Sequence, residues 1–190
     1  MSNIPTKRKI LAVSGSTRLN STNEAILKFI ADRYAEVITL ELYKDIAKLP
    51  HFNPDINDEA VTEEVKDFRE RIAKADGILI CSPEYVFSLP GVLKNAIEWT
   101  VSTTVFSNKP AAFIIASGVG EKAYESLLLI LITVGAQIGE HAKLLLKGAR
   151  SKVNGQGEIT DQGVVQEIDK LIHSLLQTIN SYAIVPGDTL

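Results

Sequence analysis

The chain has 190 residues, of which 45% are hydrophobic and 23% charged, the composition of an ordinary globular protein long enough to bury a sizeable core within one domain. Its net charge is −3 with no long run of one sign, which argues against nucleic-acid binding as the main task, since that needs a basic face. A lone cysteine, Cys81, excludes an intrachain disulfide and fits a reducing compartment.

In chain order, Lys9–Val13 reads as a strand: short, apolar and nearly continuous, as expected where both faces of a parallel sheet are covered. The hydroxyl-rich stretch SGSTRLNSTN (14–23) follows. Glu24–Tyr34 then reads as a helix with Ala25, Ile26, Phe29 and Ile30 on one face, and Val37–Leu42 as a second, half-exposed strand. Residues 43–57 form a long irregular connection with two prolines. Ala60–Ala75 is an amphipathic helix whose stripe is Val61, Val65, Phe68 and Ile72. Gly77–Cys81 is the third strand, the loop SPEYVFSLPG (82–91) follows it, and a helix runs from Val92 to about Val101. Ala111–Ala116 is the fourth strand, with Ser117–Gly120 as its exit. Glu121–Gly135 is a helix apolar nearly all round, which predicts deep burial or a subunit interface. Ala142–Leu146 is a fifth strand, residues 148–160 a loop, and Asp161–Tyr182 a closing helix with Asp161 as its cap.

The basic N-terminus MSNIPTKRKI precedes too short an apolar stretch for a signal peptide. The longest apolar run, Leu127–Ile132, is six residues, against the roughly 18 of a membrane span. The expectation is a cytoplasmic, single-domain protein over 1–190, with 1–8 and 183–190 as tails. Strand and helix alternate five times, which predicts an α/β three-layer sandwich with a parallel sheet in the order 2-1-3-4-5. Ligands in such sheets bind beyond the carboxyl ends of the strands, at the switch point between strands 1 and 3. The loops after strands 1, 3 and 4 converge there.

The loop 14–23 carries five hydroxyls (Ser14, Ser16, Thr17, Ser21, Thr22), the amide of Asn23 and the cation Arg18. It runs into a helix start, where backbone N–H groups lack partners. Hydroxyl donors with one planar cation suit a terminal monophosphate. A Walker-type loop needs a lysine followed by Ser or Thr after spaced glycines. A dinucleotide fingerprint needs three glycines, and only Gly15 is present here. Gly15 permits a tight bend or a close backbone approach. The competing reading is a hydroxyl-rich helix cap with Asn20 or Ser21 capping.

In loop 82–91, Pro83 and Pro90 stiffen the backbone, and Tyr85 and Phe87 either frame a flat ring or seal the sheet end. Ser117-Gly118-Val119-Gly120 could offer backbone N–H groups to a ring edge, or be an ordinary turn. His51, His141 and His173 show no ligand spacing, so no metal site is expected. Cys81 reads as a buried inert thiol. No G-x-S-x-G elbow marks a serine nucleophile. Glu84 is a lone loop carboxylate, and Glu98 reads as a solvated or interface charge.

Gly15-Ser16-x-Arg18-x-x-Ser21-x-Asn23, together with Pro83-Glu84-Tyr85 and Pro90-Gly91-Val92-Leu93-Lys94-Asn95-Ala96-Ile97-Glu98-Trp99, resembles the NADPH-dependent FMN reductase family of flavodoxin-like quinone, chromate and azo-dye reductases. The resemblance implies FMN as cofactor and NADPH or NADH as electron donor. It implies hydride transfer through the flavin to a small-molecule acceptor such as a quinone, free flavin or azo compound. It implies that Ser16, Arg18, Ser21 and Asn23, with Thr22 beside them, hold the FMN phosphate. Pro83, Glu84, Tyr85 and Val86 would border the ring on one side, and Ser117 and Gly118 on the other. No catalytic side chain is assigned, because the flavin carries the chemistry. A homodimer or homotetramer through the helix Gly91–Val101 is also implied. Two departures stand out. Val86-Phe87 occupy the place where Asn and a small residue or histidine often follow Glu-Tyr, and the fourth strand's exit is poorer in glycine. The alternatives in function are a flavodoxin-like electron carrier and a flavin-binding regulatory module without NAD(P)H oxidation of its own.

Overall fold

The computed structural model describes residues 7–154 and 158–183. Its elements are β1 (Arg8–Ser14), α1 (Thr22–Arg33), β2 (Ile38–Tyr43), α2 (Glu63–Lys74), β3 (Gly77–Ser82), α3 (Gly91–Glu98), β4 (Pro110–Ser117), α4 (Glu121–Thr133), β5 (Gln137–Lys147), a short α5 (Ala149–Lys152) and α6 (Gln162–Ala183). All pairings in the sheet are parallel, and the strand order is β2-β1-β3-β4-β5. The order read from the alternation is therefore the order found.

Helices cover both faces. On one, α2, α3 and α4 pack Phe68, Ile72, Leu93, Ile97, Leu127 and Leu131 against Leu11, Ile78, Ile80 and Phe113. On the other, α1 and α6 pack Ile26, Ile30, Ile168 and Leu171 against Ile10, Leu79 and Ile114. Successive strand residues serve opposite cores, and every residue of β3 is buried. That is why β1, β3 and β4 read as unbroken apolar runs.

Most boundaries shift by one to three residues from the sequence reading, and four differences have identifiable reasons. Helix α1 starts two residues earlier, at Thr22, because Ser21 accepts the Glu24 N–H at 3.1 Å and caps it. Helix α2 starts at Glu63 because its N-cap Thr62 is extended. Strand β5 is 11 residues long, not five. Between its pairings, β4 advances from Ala111 to Phe113 while β5 advances from Ile138 to Lys143, and such a bulge erases the alternation that marks a strand. Within residues 148–160, α5 and an antiparallel bridge between Val153 and Ile159 are ordered. Asp161 does cap α6, accepting from the N–H groups of Gly163 and Val164. The expected tails are shortened at their inner edges, since Arg8 opens β1 and Ala183 closes α6. Residues 1–6 and 184–190 lie outside the described residues.

The long 43–57 connection is pinned by α3, the helix that follows loop 82–91. The Asn95 amide accepts from the Phe52 N–H at 2.8 Å and donates to the Pro50 carbonyl at 2.9 Å. The buried Trp99 indole donates to the same carbonyl at 2.7 Å. Two residues of the α3 motif thus hold scaffold rather than ligand. Helix α4 is buried along Ala123, Leu127 and Leu131, yet Leu129 and Ile132 are mostly exposed. Deep burial therefore does not account for its outer face.

Candidate functional site

The carboxyl ends of four strands lie side by side: Ser14 pairs with Cys81, Ser82 with Ile115, and Ser117 with Lys147. The loops leaving them enclose a cleft of about 690 Å³, within the range of small-molecule and cofactor sites. Its walls include Ser16, Arg18, Ser21, Thr22 and Asn23 from the first loop. Pro83, Glu84 and Tyr85 come from the second, and Ser117 and Gly118 from the third. Ten of the eleven residues singled out in the sequence are thereby brought together.

The first loop is tied down locally. The Gly15 N–H donates to the Cys81 carbonyl at 2.9 Å. A β-carbon at residue 15 would lie 2.3 Å from Ser82 Oγ and 2.8 Å from its Cβ, so only glycine permits this approach. The Ser14 hydroxyl accepts the Ser16 N–H and donates to the Ser16 carbonyl. Ser16 Oγ accepts the Arg18 N–H, and Ser21 Oγ accepts the Glu24 N–H. Both hydroxyls keep their own protons to donate. Ser21 is thus a helix cap and a cleft residue at once, and the two readings of this loop are not exclusive.

Asn23 and Cys81 form a buried pair. The thiol, inaccessible to solvent, donates to Asn23 Oδ1 at 3.3 Å. With the carbonyl oxygen so occupied, the Asn23 amide nitrogen has no partner among the described residues and is left as a donor at the cleft wall. Burial pushes the Cys81 thiol well above its usual range. It is therefore a neutral positioning group, not a nucleophile.

Glu84 is committed elsewhere. Its carboxylate accepts the Gly120 N–H at 3.2 Å and the Ala123 N–H at 2.9 Å, capping α4, whose N-terminus favours negative charge. The second and third loops are latched together by this contact. Glu84 lines the cleft as a strut rather than as a free acid or base. Gly120, in the left-handed region at φ 100°, makes the turn into α4.

Val86 is the one candidate that the structure sets apart. Its side chain is 96% exposed, and it does not line the cleft. Tyr85 and Ser88 exchange backbone hydrogen bonds at 2.9 and 3.0 Å, closing a two-residue hairpin with Val86 at φ 51° and Phe87 at φ 54°. Such turns favour Asn-Gly, because both central residues need positive φ. Phe87 is 75% exposed, so it neither seals the sheet end nor enters the cleft. Tyr85 is about half exposed and faces the cleft.

The sequence reading passed over Asn20, Ala116, Gly148, Ala149, Arg150 and Ser151, which also line the cleft. The last four leave the carboxyl end of β5. The rule that gathers loops at strand ends covers them, but the expected site drew only on the loops after strands 1, 3 and 4, and residues 148–160 read only as a polar loop. Among the described residues, no group of histidine, cysteine and carboxylate side chains is placed to hold a metal, and no helix is long and apolar enough to cross a membrane.

The hairpin yields a stability prediction. A non-glycine residue held at positive φ costs of order 1–3 kcal/mol. Val86→Asn combined with Phe87→Gly should therefore stabilise the protein by about 2 kcal/mol, raising Tm by roughly 4–8 °C for a chain of this length. Thermal unfolding followed by circular dichroism reads this; a lowered Tm would mean that Val86 and Phe87 make contacts that outweigh the strain.

Comparison with known proteins agrees with this architecture. The profile of the NADPH-dependent FMN reductase family matches residues 8–150. An NAD(P)H-dependent FMN reductase of Pseudomonas aeruginosa is 32% identical over 173 residues, covering 88% of this chain and 92% of that protein. A quinone reductase of Escherichia coli K12 is 28% identical, covering 85% and 90% respectively. Among solved structures, a flavoenzyme NAD(P)H:(acceptor) oxidoreductase from Paracoccus denitrificans superposes with a TM-score of 0.80 at 24% identity, over 92% of this chain and 98% of that one, a likeness of fold. The chain belongs to the NADPH-dependent FMN reductase family, a family of NAD(P)H-dependent oxidoreductases that use FMN.

Proposed function

We propose that the cleft at the strand ends holds FMN with its phosphate in the 14–23 loop and its ring between Pro83–Tyr85 and Ser117–Gly118. In this reading the chain passes reducing equivalents from NAD(P)H to a quinone or a free flavin. The observation that carries the proposal is the convergence of three loops, one rich in unspent anion donors, on a single cleft. The residues fit a phosphate-bearing flavin. The Arg18 guanidinium has no partner among the described residues, the Asn23 amide nitrogen is unpaired, and the Ser16 and Ser21 hydroxyls can still donate.

When bound, FMN supplies the hydride-accepting and hydride-donating chemistry. The protein's work is binding and orientation. Arg18 and the hydroxyls hold charge at the tail. Cys81 fixes the Asn23 amide. The Glu84 strut keeps the two ring-side loops in one relative position. No side chain needs to move a proton, in keeping with a Glu84 carboxylate already spent on backbone donors. The acceptor is read as a quinone or flavin because the similar bacterial proteins carry those activities in their names. A single buried thiol is consistent with work in the cytoplasm.

The proposal includes a homodimer formed on the α3–α4 side. Leu129 and Ile132 on α4 and Val101 beyond α3 are large apolar side chains that remain mostly exposed, and grouped exposed apolar side chains mark association surfaces. The whole chain serves as one domain in this reading.

Two measurements test these statements. Charge-assisted hydrogen bonds contribute about 1.5–3 kcal/mol, so Arg18→Ala should weaken FMN binding roughly 10- to 150-fold; an unchanged dissociation constant in a fluorescence titration would reject the phosphate assignment. Sedimentation equilibrium should give twice the chain mass of 20.7 kDa, and Leu129→Glu with Ile132→Glu should return it to one; a wild-type monomer would reject the dimer.

A further inference from the structure

The chain has six arginines. Arg8 donates to Asn180, Arg33 pairs with Asp169, Arg69 with Asp58, and Arg71 with Asp67 and Glu41. Among the described residues, the guanidinium groups of the remaining two, Arg18 and Arg150, make no hydrogen bond or ion pair, and these two line the same cleft. Four arginines are used up by the scaffold, and the two left over meet at one place.

The root of Arg150 is held firmly. The Gly148 N–H donates to the Gly118 carbonyl at 3.2 Å, which attaches this turn to the exit of β4. The preceding residue, Ala149, is buried in the α1–α6 core. Ser151 closes the turn from the other side, its N–H and hydroxyl both donating to the Gly148 carbonyl at 3.0 and 2.8 Å. The chain then runs on to Val153 and Asn154, which border a groove shared with Asn20, Ser21 and Thr22. Arg150 therefore leaves a fixed turn between the β4 exit and the hydroxyl-rich loop.

Charge balance states what it is for. A terminal phosphomonoester carries about −1.5 to −2 near neutral pH. The hydroxyl-rich loop supplies one cation, Arg18. The first turn of α1 carries Glu24, an acidic side chain where an anion would lie, and the Ser21 cap already uses the Glu24 N–H. The remaining charged residue of the cleft, Glu84, is engaged by backbone donors of α4. About one unit of phosphate charge is left without a cation from loop 14–23.

We propose that Arg150 is the second arginine of the phosphate site, approaching the terminal phosphate of FMN from the β5 wall and balancing its second charge. The proposal rests on the reading of the cleft as the FMN site. It makes the turn after β5 part of cofactor recognition, and it makes FMN preference over riboflavin depend on two arginines from opposite ends of the chain.

The test is titration of flavin-stripped protein with FMN and with riboflavin, which lacks the phosphate, followed by quenching of flavin fluorescence. The variants are Arg18→Ala, Arg150→Ala and Arg150→Lys. Arg150→Ala should weaken FMN roughly 10- to 150-fold and leave riboflavin unchanged. Arg150→Lys should recover part of the loss, since lysine keeps the charge without the planar fork. Unchanged FMN affinity in Arg150→Ala would overturn the proposal, and a raised KM for NADPH in that variant would assign the residue to the nicotinamide donor instead. Equal loss of FMN and riboflavin would also overturn it, because the residue would then be shaping the cleft. If Arg18→Ala also binds FMN as wild type does, the phosphate site itself has been misread, an outcome distinct from the failure of Arg150 alone.

Discussion

No side chain fits at residue 15. Its backbone lies so close to the end of β3 that a methyl group there would overlap Ser82, and the site depends on that closeness. It lets the first loop turn directly over the second. It aligns Gly15 N–H with the Cys81 carbonyl and brings Asn23 against the Cys81 thiol. One missing β-carbon therefore couples the proposed phosphate end of the cleft to the proposed ring end. The remaining joints are polar and specific: Glu84 ties the second loop to α4, and Gly148 ties the turn after β5 to Gly118. Four loops that would otherwise be independent become one rigid rim.

This arrangement separates two kinds of residue that look alike in the sequence. Asn95 and Trp99 stand in a motif beside the ring loop, yet they fasten the long 43–57 connection. Glu84 sits on the cleft, yet its charge is consumed by a helix terminus. Arg18 and Arg150 have no structural employment among the described residues. A polar group that the fold does not use, at the rim of a cleft, is better evidence for a ligand than a polar group that it does.

The sheet order was legible because β1, β3 and β4 are covered on both faces and so are spelled as continuous apolar runs. Strand β5 was only half legible. It lies at the sheet edge, its bulge breaks the pairing between Ala111 and Phe113, and Glu140 and His141 are exposed there. Its end was placed to within one residue, at Leu146 against Lys147, and its start was missed. Arg150 was passed over because residues 148–160 read only as a polar loop, although the pattern was open to view: small residues and then an arginine just after a parallel strand, as in the loop that carries Arg18. Val86 stands apart from the other candidates for a different reason. Sequence position put it beside Tyr85, but the hairpin closed by Tyr85 and Ser88 turns its side chain outward at a φ that valine rarely adopts.

The central claim is that the cleft holds a flavin which nicotinamide can reduce and an acceptor can reoxidise. The most direct measurement is the visible absorption spectrum of the purified, FMN-saturated protein without oxygen, before and after adding NADPH and then a quinone. The account predicts a yellow flavin band that bleaches with NADPH or NADH and returns with the quinone. A protein that takes up no FMN, or whose bound flavin is unmoved by either nicotinamide, would contradict it.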